Sequence, residues 1–97
     1  MVKIKDLKLK QQVYGIYFVG KTIKEDHIEP KSNKRLMVVE LSDESGRIEC
    51  DLWGDECVER AKKNIGKKIE VNKFYVNEFN NELRLTSGKF GWITKND

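Results

Sequence analysis

The stretch Leu41-Ser42-Asp43-Glu44-Ser45-Gly46-Arg47-Ile48-Glu49-Cys50-Asp51-Leu52-Trp53-Gly54 decides how this chain is read. At its centre, Asp43 to Gly46 is a run of turn formers, and Gly46 is free to take a positive φ. The residues on either side alternate. Leu36 to Leu41 places Met37, Val39 and Leu41 on one face. Arg47 to Trp53 places Ile48, Cys50 and Leu52 on one face, with Arg47, Glu49, Asp51 and Trp53 on the other. A period of two around a tight turn predicts a β-hairpin with one buried and one open side.

Working upstream, Val13 to Val19 mixes β-branched and aromatic residues and reads as the first strand. Tyr14, Ile16 and Phe18 share one face, and Val13, Tyr17 and Val19 the other. The first three are assigned to the core, in a strand apolar on both sides that Gly15 and Gly20 allow to bend. Thr22 to Arg35 is polar, contains Pro30, Ser32 and Asn33, and is expected to be a loop. Downstream, Gly54-Asp55-Glu56 opens a short helix, with Asp55 as its cap and Val58, Ala61 and Ile65 along one face. Asn64 or Gly66 ends it. Lys67 to Asn77 is the fourth strand and Glu82 to Thr86 the fifth, joined by Asn80-Asn81, a pair suited to a type I′ turn. Ile69 and Val71 have one parity, Phe74 and Val76 the other. One extra residue near Asn72 or Lys73, a β-bulge, brings all four to one face and turns Tyr75 outward.

Three strands, a helix and two strands predict an all-β fold, a five-stranded Greek-key OB-fold barrel with the short helix between strands 3 and 4. An SH3-like barrel or an α+β sandwich is the structural alternative. The expected organisation is a single domain over 1–97, with a lead-in at 1–12 and the barrel at about 13–91. It is either a whole protein or one module of a longer multi-OB protein.

The composition narrows the function. A chain of 97 residues buries about 60–65% of its unfolded surface, so a surface or groove is expected rather than a large internal active-site cavity. Charged residues make up 36% and the net charge is +3, which permits a nucleic-acid partner without requiring one. No apolar run is long enough for a membrane span, and Met1 to Lys10 has no apolar signal core. A cytoplasmic location is therefore expected. Cys50 and Cys57, with His27 the single histidine, fall short of a four-ligand metal site. The cysteines are expected as small buried groups, and neither a metal nor another cofactor is expected. No phosphate-binding loop of the G-x-x-x-x-G-K-[ST] type occurs and His27 has no nucleophile partner in a recognisable motif, so an enzyme is not expected.

The run Leu41 to Ile48 followed by Leu52-Trp53-Gly54 resembles the hairpin of single-stranded DNA-binding OB domains, those of the archaeal replication protein A family and their single-OB relatives. Ile69-Glu70-Val71-Asn72, Tyr75, Phe79 and Glu82-Leu83-Arg84-Leu85 resemble the fourth and fifth strands of that domain. Ile4-Lys5-Asp6-Leu7 resembles its lead-in, so the likeness covers about residues 4–91. It implies binding of single-stranded DNA across strands two and three, in replication, repair or recombination, with other OB modules or replication and repair proteins as partners. It also implies base stacking at Trp53, Tyr75 and Phe79. Lys31, Lys34 and Arg35 match the family's basic first loop by location.

From the residues themselves, Lys34, Arg35, Lys73 and Arg84 are candidates for phosphate contacts. Lys62, Lys63, Lys67 and Lys68 are assigned to the helix end rather than the groove. Trp92 is assigned to a lid on the barrel or to a further contact. Glu49 and Asp51 share the face of Trp53, where a phosphate path prefers cations. That favours a second expectation, an OB protein-interaction module taking a basic partner. RNA binding is the third. Little base preference is expected from stacking alone.

Overall fold

The computed structural model describes residues 2–95. A short 3-10 turn, Ile4–Asp6, leads into β1 (Gln12–Glu29), β2 (Lys34–Asp43), β3 (Gly46–Trp53), α1 (Asp55–Lys62), β4 (Lys68–Phe79), β5 (Glu82–Thr86) and β6 (Trp92–Lys95). β1 pairs antiparallel with β4 through Gln12–Phe18 and with β2 through Phe18–Glu29. β2 pairs with β3, β3 runs parallel to β5, and β5 pairs antiparallel with β4. The ring β1-β2-β3-β5-β4 therefore closes on itself, with the helix between β3 and β4, as the sequence predicts for an OB barrel.

The hairpin Leu36–Trp53 holds the expected register, with Leu41 opposite Ile48 and Val39 opposite Cys50. Its turn is made differently from the expectation. Gly46 does not take a positive φ. Instead Asp43 Oδ1 accepts from the Ser45 amide at 2.8 Å, the Ser45 hydroxyl at 2.6 Å and the Gly46 amide at 3.2 Å. Asp43 Oδ2 accepts from the Ile4 amide at 2.9 Å, which staples the lead-in to the hairpin. Burial acts to raise the Asp43 carboxyl, but these hydrogen bonds outweigh it and hold it below the usual range.

The β-bulge stands where the pattern requires it. Val13 lies opposite Phe74 and Gly15 opposite Val71, so Tyr14 faces the two residues Asn72 and Lys73. Lys73 takes a positive φ of 57°. Ile69, Val71, Phe74 and Val76 are all fully buried, and Tyr75 faces out. Asn80 and Asn81 have φ of 52° and 66°, which fits the expected tight turn.

Further expectations are corrected. The core face of β1 is Val13, Tyr17 and Val19, while Tyr14 and Phe18 are 49% and 40% exposed. Gly15 decides this. A Cβ there would stand 2.5 Å from the Tyr17 Oη, so its absence makes room for the inward phenol. The Tyr17 hydroxyl donates to the Val2 carbonyl at 2.8 Å, and burial pushes its pKa up to about 12. The expected loop at Thr22–Arg35 is instead the far half of β1, the turn at 30–33 and the start of β2. A strand there needs only backbone pairing, and register shifts between Val19 and His27 absorb its irregular side-chain pattern. The helix is capped by Gly54 at φ 91° rather than by Asp55, and Ile65 lies beyond its end, exposed.

Last, a sixth strand follows the expected five. β6 pairs with β4 at Ile69–Asn72, and Trp92 opens it at 43% exposure instead of capping the barrel. It also holds the helix in place: Arg60 Nη1 donates to the Ile93 carbonyl at 2.9 Å. Cys50 and Cys57 are buried and free, as expected.

Candidate nucleic-acid interface

The open face of β2 and β3 forms the floor of a groove of about 580 Å³. Leu36 and Val38 come from β2, and Glu49, Asp51 and Trp53 from β3. One wall is the β1–β2 hairpin, through Ile23, Lys24 and Glu29; the other is the β4–β5 hairpin, through Asn77, Glu78 and Phe79. The parallel pairing of Cys50 with Leu85 and Asp51 with Thr86 lays Arg84 over the floor. There its guanidinium donates to Glu49 Oε1 at 2.7 Å and to Asp51 Oδ1. Burial works against the Arg84 charge, and the two carboxylates more than restore it.

A second hollow, of about 440 Å³, lies across Trp53 from the first. Lys34 and Arg35 line it from the hairpin, Gly54 and Asp55 from the helix start, and Gly88 and Lys89 from the β5–β6 connection. The Trp53 amide donates to Ser87 Oγ at 2.9 Å and the Ser87 amide to the Asp51 carbonyl at 3.0 Å, which binds that connection to the end of β3.

The structure brings some of the predicted residues together and sets others apart. Trp53 is the shared wall of both hollows, and Phe79, 63% exposed, stands at the rim of the groove. Tyr75 is 42% exposed but lies outside the groove lining, and a Cβ on Gly88 would meet its ring at 3.1 Å. Lys34 lines the second hollow, and Lys31 is exposed in the turn at the hairpin tip. Lys73 sits on the β1–β4 bulge, away from both.

Arg35 and Arg84 are engaged with protein carboxylates. Arg35 donates to Asp26 through Nε and Nη2 at 2.7 and 2.6 Å, and to Glu59 at 2.6 Å. Lys62 joins the same Asp26 at 3.0 Å. This cluster braces the hairpin against α1, and hydrogen bonds from Arg35, then Lys62, hold the Asp26 carboxyl far below its usual range. His27 is held between the Glu25 carbonyl at 2.8 Å and Glu29 Oε2 at 2.6 Å, and both raise its pKa.

Sequence reasoning missed Lys89, Ile23 and Lys24. Lys89 follows Gly88, at φ 58°, in a connection with no periodicity to place it. Ile23 and Lys24 were hidden by reading their segment as a loop.

No protein-family model matches the sequence, and no curated protein matches it. Solved structures do. The OB domain of Ta0387 from Thermoplasma acidophilum superposes with a TM-score of 0.78 at 21% identity, over 99% of this chain and 86% of that one. A replication protein A heterotrimer bound to single-stranded DNA contains a chain matching at a TM-score of 0.70 and 20% identity. A murine DNA-binding protein bound with double-stranded DNA matches at 0.68 and 20%. Those two matches take in 99% of this chain but only 24% and 48% of theirs. The closed ring, the helix between β3 and β4 and these likenesses define the chain as a small OB-fold barrel.

Proposed function

We propose that this domain binds single-stranded DNA along the β2–β3 face and serves in replication, repair or recombination. On this reading it is a binding module rather than an enzyme and works in the cytoplasm on the nucleoid. The observation that carries it is the position of Trp53, an indole between an aromatic-rimmed groove and a lysine-bearing hollow. Bases stack on Trp53 and Phe79, and the phosphates follow Lys34, Lys89 and Lys31, since stacking platforms beside cations are how unpaired strands are held. The replication protein A and murine neighbours are both DNA complexes, which supports a nucleic-acid partner. No helix among the described residues is long and apolar enough to cross a membrane.

A second reading has its own observation. Four carboxylates line the groove against Lys24 and Arg84, and such a lining accepts a basic segment of a partner protein, such as another OB module or a repair factor. One titration separates the readings. Trp92→Phe leaves Trp53 as the only indole, and its fluorescence is followed against mixed-sequence DNA and RNA 12-mers. Saturable quenching that is stronger with DNA, and that weakens with salt at a log–log slope of about −2, is expected for three phosphate contacts. Stronger quenching by RNA makes the domain an RNA binder. No binding of either at low salt overturns the nucleic-acid reading in favour of the protein partner.

A further inference from the structure

The floor of the groove carries hydrogen-bonding chemistry that stacking does not use. Arg84 occupies Glu49 Oε1 and Asp51 Oδ1. Glu49 Oε2 and Asp51 Oδ2 have no hydrogen-bond partner among the described residues. Both side chains stand on the open face of β3, two residues apart, and Asp51 is next but one to Trp53. An ionised carboxylate only accepts hydrogen bonds. With Glu29 and Glu78 also present, the floor repels phosphates, whereas the hollow beyond Trp53 offers Lys34 and Lys89. A strand stacked on Trp53 and Phe79 must therefore keep its backbone toward the lysines and turn its base edges to the floor.

We infer that Glu49 and Asp51 make this groove selective for bases bearing an exocyclic amine, reading cytosine in preference to uracil or thymine. The inference rests on the nucleic-acid reading of the same groove, and it departs from the indifference to base expected of stacking alone. Cytosine offers its N4 amine to a carboxylate, a pairing that proteins use to recognise it. Uracil and thymine place a carbonyl oxygen at that position, so acceptor meets acceptor. Adenine and guanine also carry amines, but cytosine against uracil is the cleaner comparison, because the two pyrimidines stack with similar area.

The test measures binding of fluorescently labelled dC12 and dU12 to the whole chain by anisotropy, at one salt concentration and neutral pH. The expected result is about tenfold tighter binding of dC12. In Glu49→Gln and in Asp51→Asn dC12 binds more weakly, because its amine loses a charged acceptor, dU12 binds as well as before or better, and the dC12:dU12 ratio falls toward one. Glu49→Gln is isosteric at a half-exposed site, and unchanged near-UV circular dichroism establishes that its fold is kept. Equal wild-type affinities overturn the inference while single-strand binding stands. A ratio that survives both substitutions also overturns it, since another group must then do the reading. No binding of either oligomer overturns the inference together with the function it rests on.

Discussion

On one side of Trp53 lies a groove with Glu29, Glu49, Asp51 and Glu78 against Lys24 and Arg84; on the other lies a hollow with Lys34, Arg35 and Lys89 against Asp55. The two share an indole and differ in sign. Pairing explains why. Alternation on β3 sends Glu49 and Asp51 to the open face, and the β3–β5 register sets Arg84 over them, so the one guanidinium on that floor is already engaged. In the hollow, Arg35 is likewise spent on Asp26 and Glu59, but Lys34 and Lys89 have no carboxylate partner among the described residues. Net charge on the whole chain says little about where an anion can lie. The count of cations not already paired within each concavity says more.

The comparison can be broken most directly at its shared wall. Trp53→Ala should cost about 1–3 kcal/mol of single-strand binding with little change in thermal midpoint, because the ring stands on the open face. Affinity equal to wild type by anisotropy removes the indole from the site. Charge reversal of Lys34 and Lys89 together should weaken binding at least about tenfold at low salt and flatten the salt slope by about 1.4. The same reversal at Lys63 and Lys67, at the helix end, should do much less. Should the two double variants behave alike, the hollow has no special part in holding phosphates. Phe79→Ala should cost about 1 kcal/mol, less than Trp53, because its ring is open to solvent on most sides.

The smallest effect is that of pH. Bonding to the Glu25 carbonyl and to Glu29 raises the His27 pKa, so the imidazolium persists beside Glu29 to a higher pH than a free histidine would. The stability this pair supplies is present below the unfolded histidine value of about 6.5 and is lost as pH rises through the raised folded value. Affinity for a single strand should therefore fall modestly across that window, and His27→Gln should remove the dependence. At the acid end the sign reverses for Asp26. Its lowered carboxyl supports the hairpin brace above the unfolded value of about 4, and the support fades as pH falls below it. Hydrogen exchange of the Lys24–Arg35 amides against pH would follow that loosening.

Much of the barrel was legible because burial imposes a period on the sequence. Met37, Val39 and Leu41, and Ile48, Cys50 and Leu52, could be assigned to the core by alternation. The bulge at Lys73 could be deduced because two apolar pairs of opposite parity had to share one face. The outward positions of Trp53 and Tyr75 followed from the same counting, whereas Phe79, expected beyond the strand, proved to be its last residue. It failed at β1, where both faces are apolar and parity cannot choose between them. There the choice lay in a contact between Gly15 and Tyr17 that only the folded ring reveals. It failed again at Thr22–Glu29, whose strand is held by pairing with β2 and carries no apolar stripe.

By itself, the sequence determined the order of the first five strands and the helix, the places of the β2–β3 and β4–β5 turns, the barrel class and which side of β2, β3 and β4 faces the core. Each of these is a local matter of periodicity, turn chemistry and residue size. Only the tertiary structure decided which charges are already paired and where Lys89 and Lys24 stand relative to Trp53. The same holds for β6, which closes over β4 and the helix. These depend on registers between segments far apart in the chain, most of all the parallel step from β3 to β5, and no local pattern encodes such a distance.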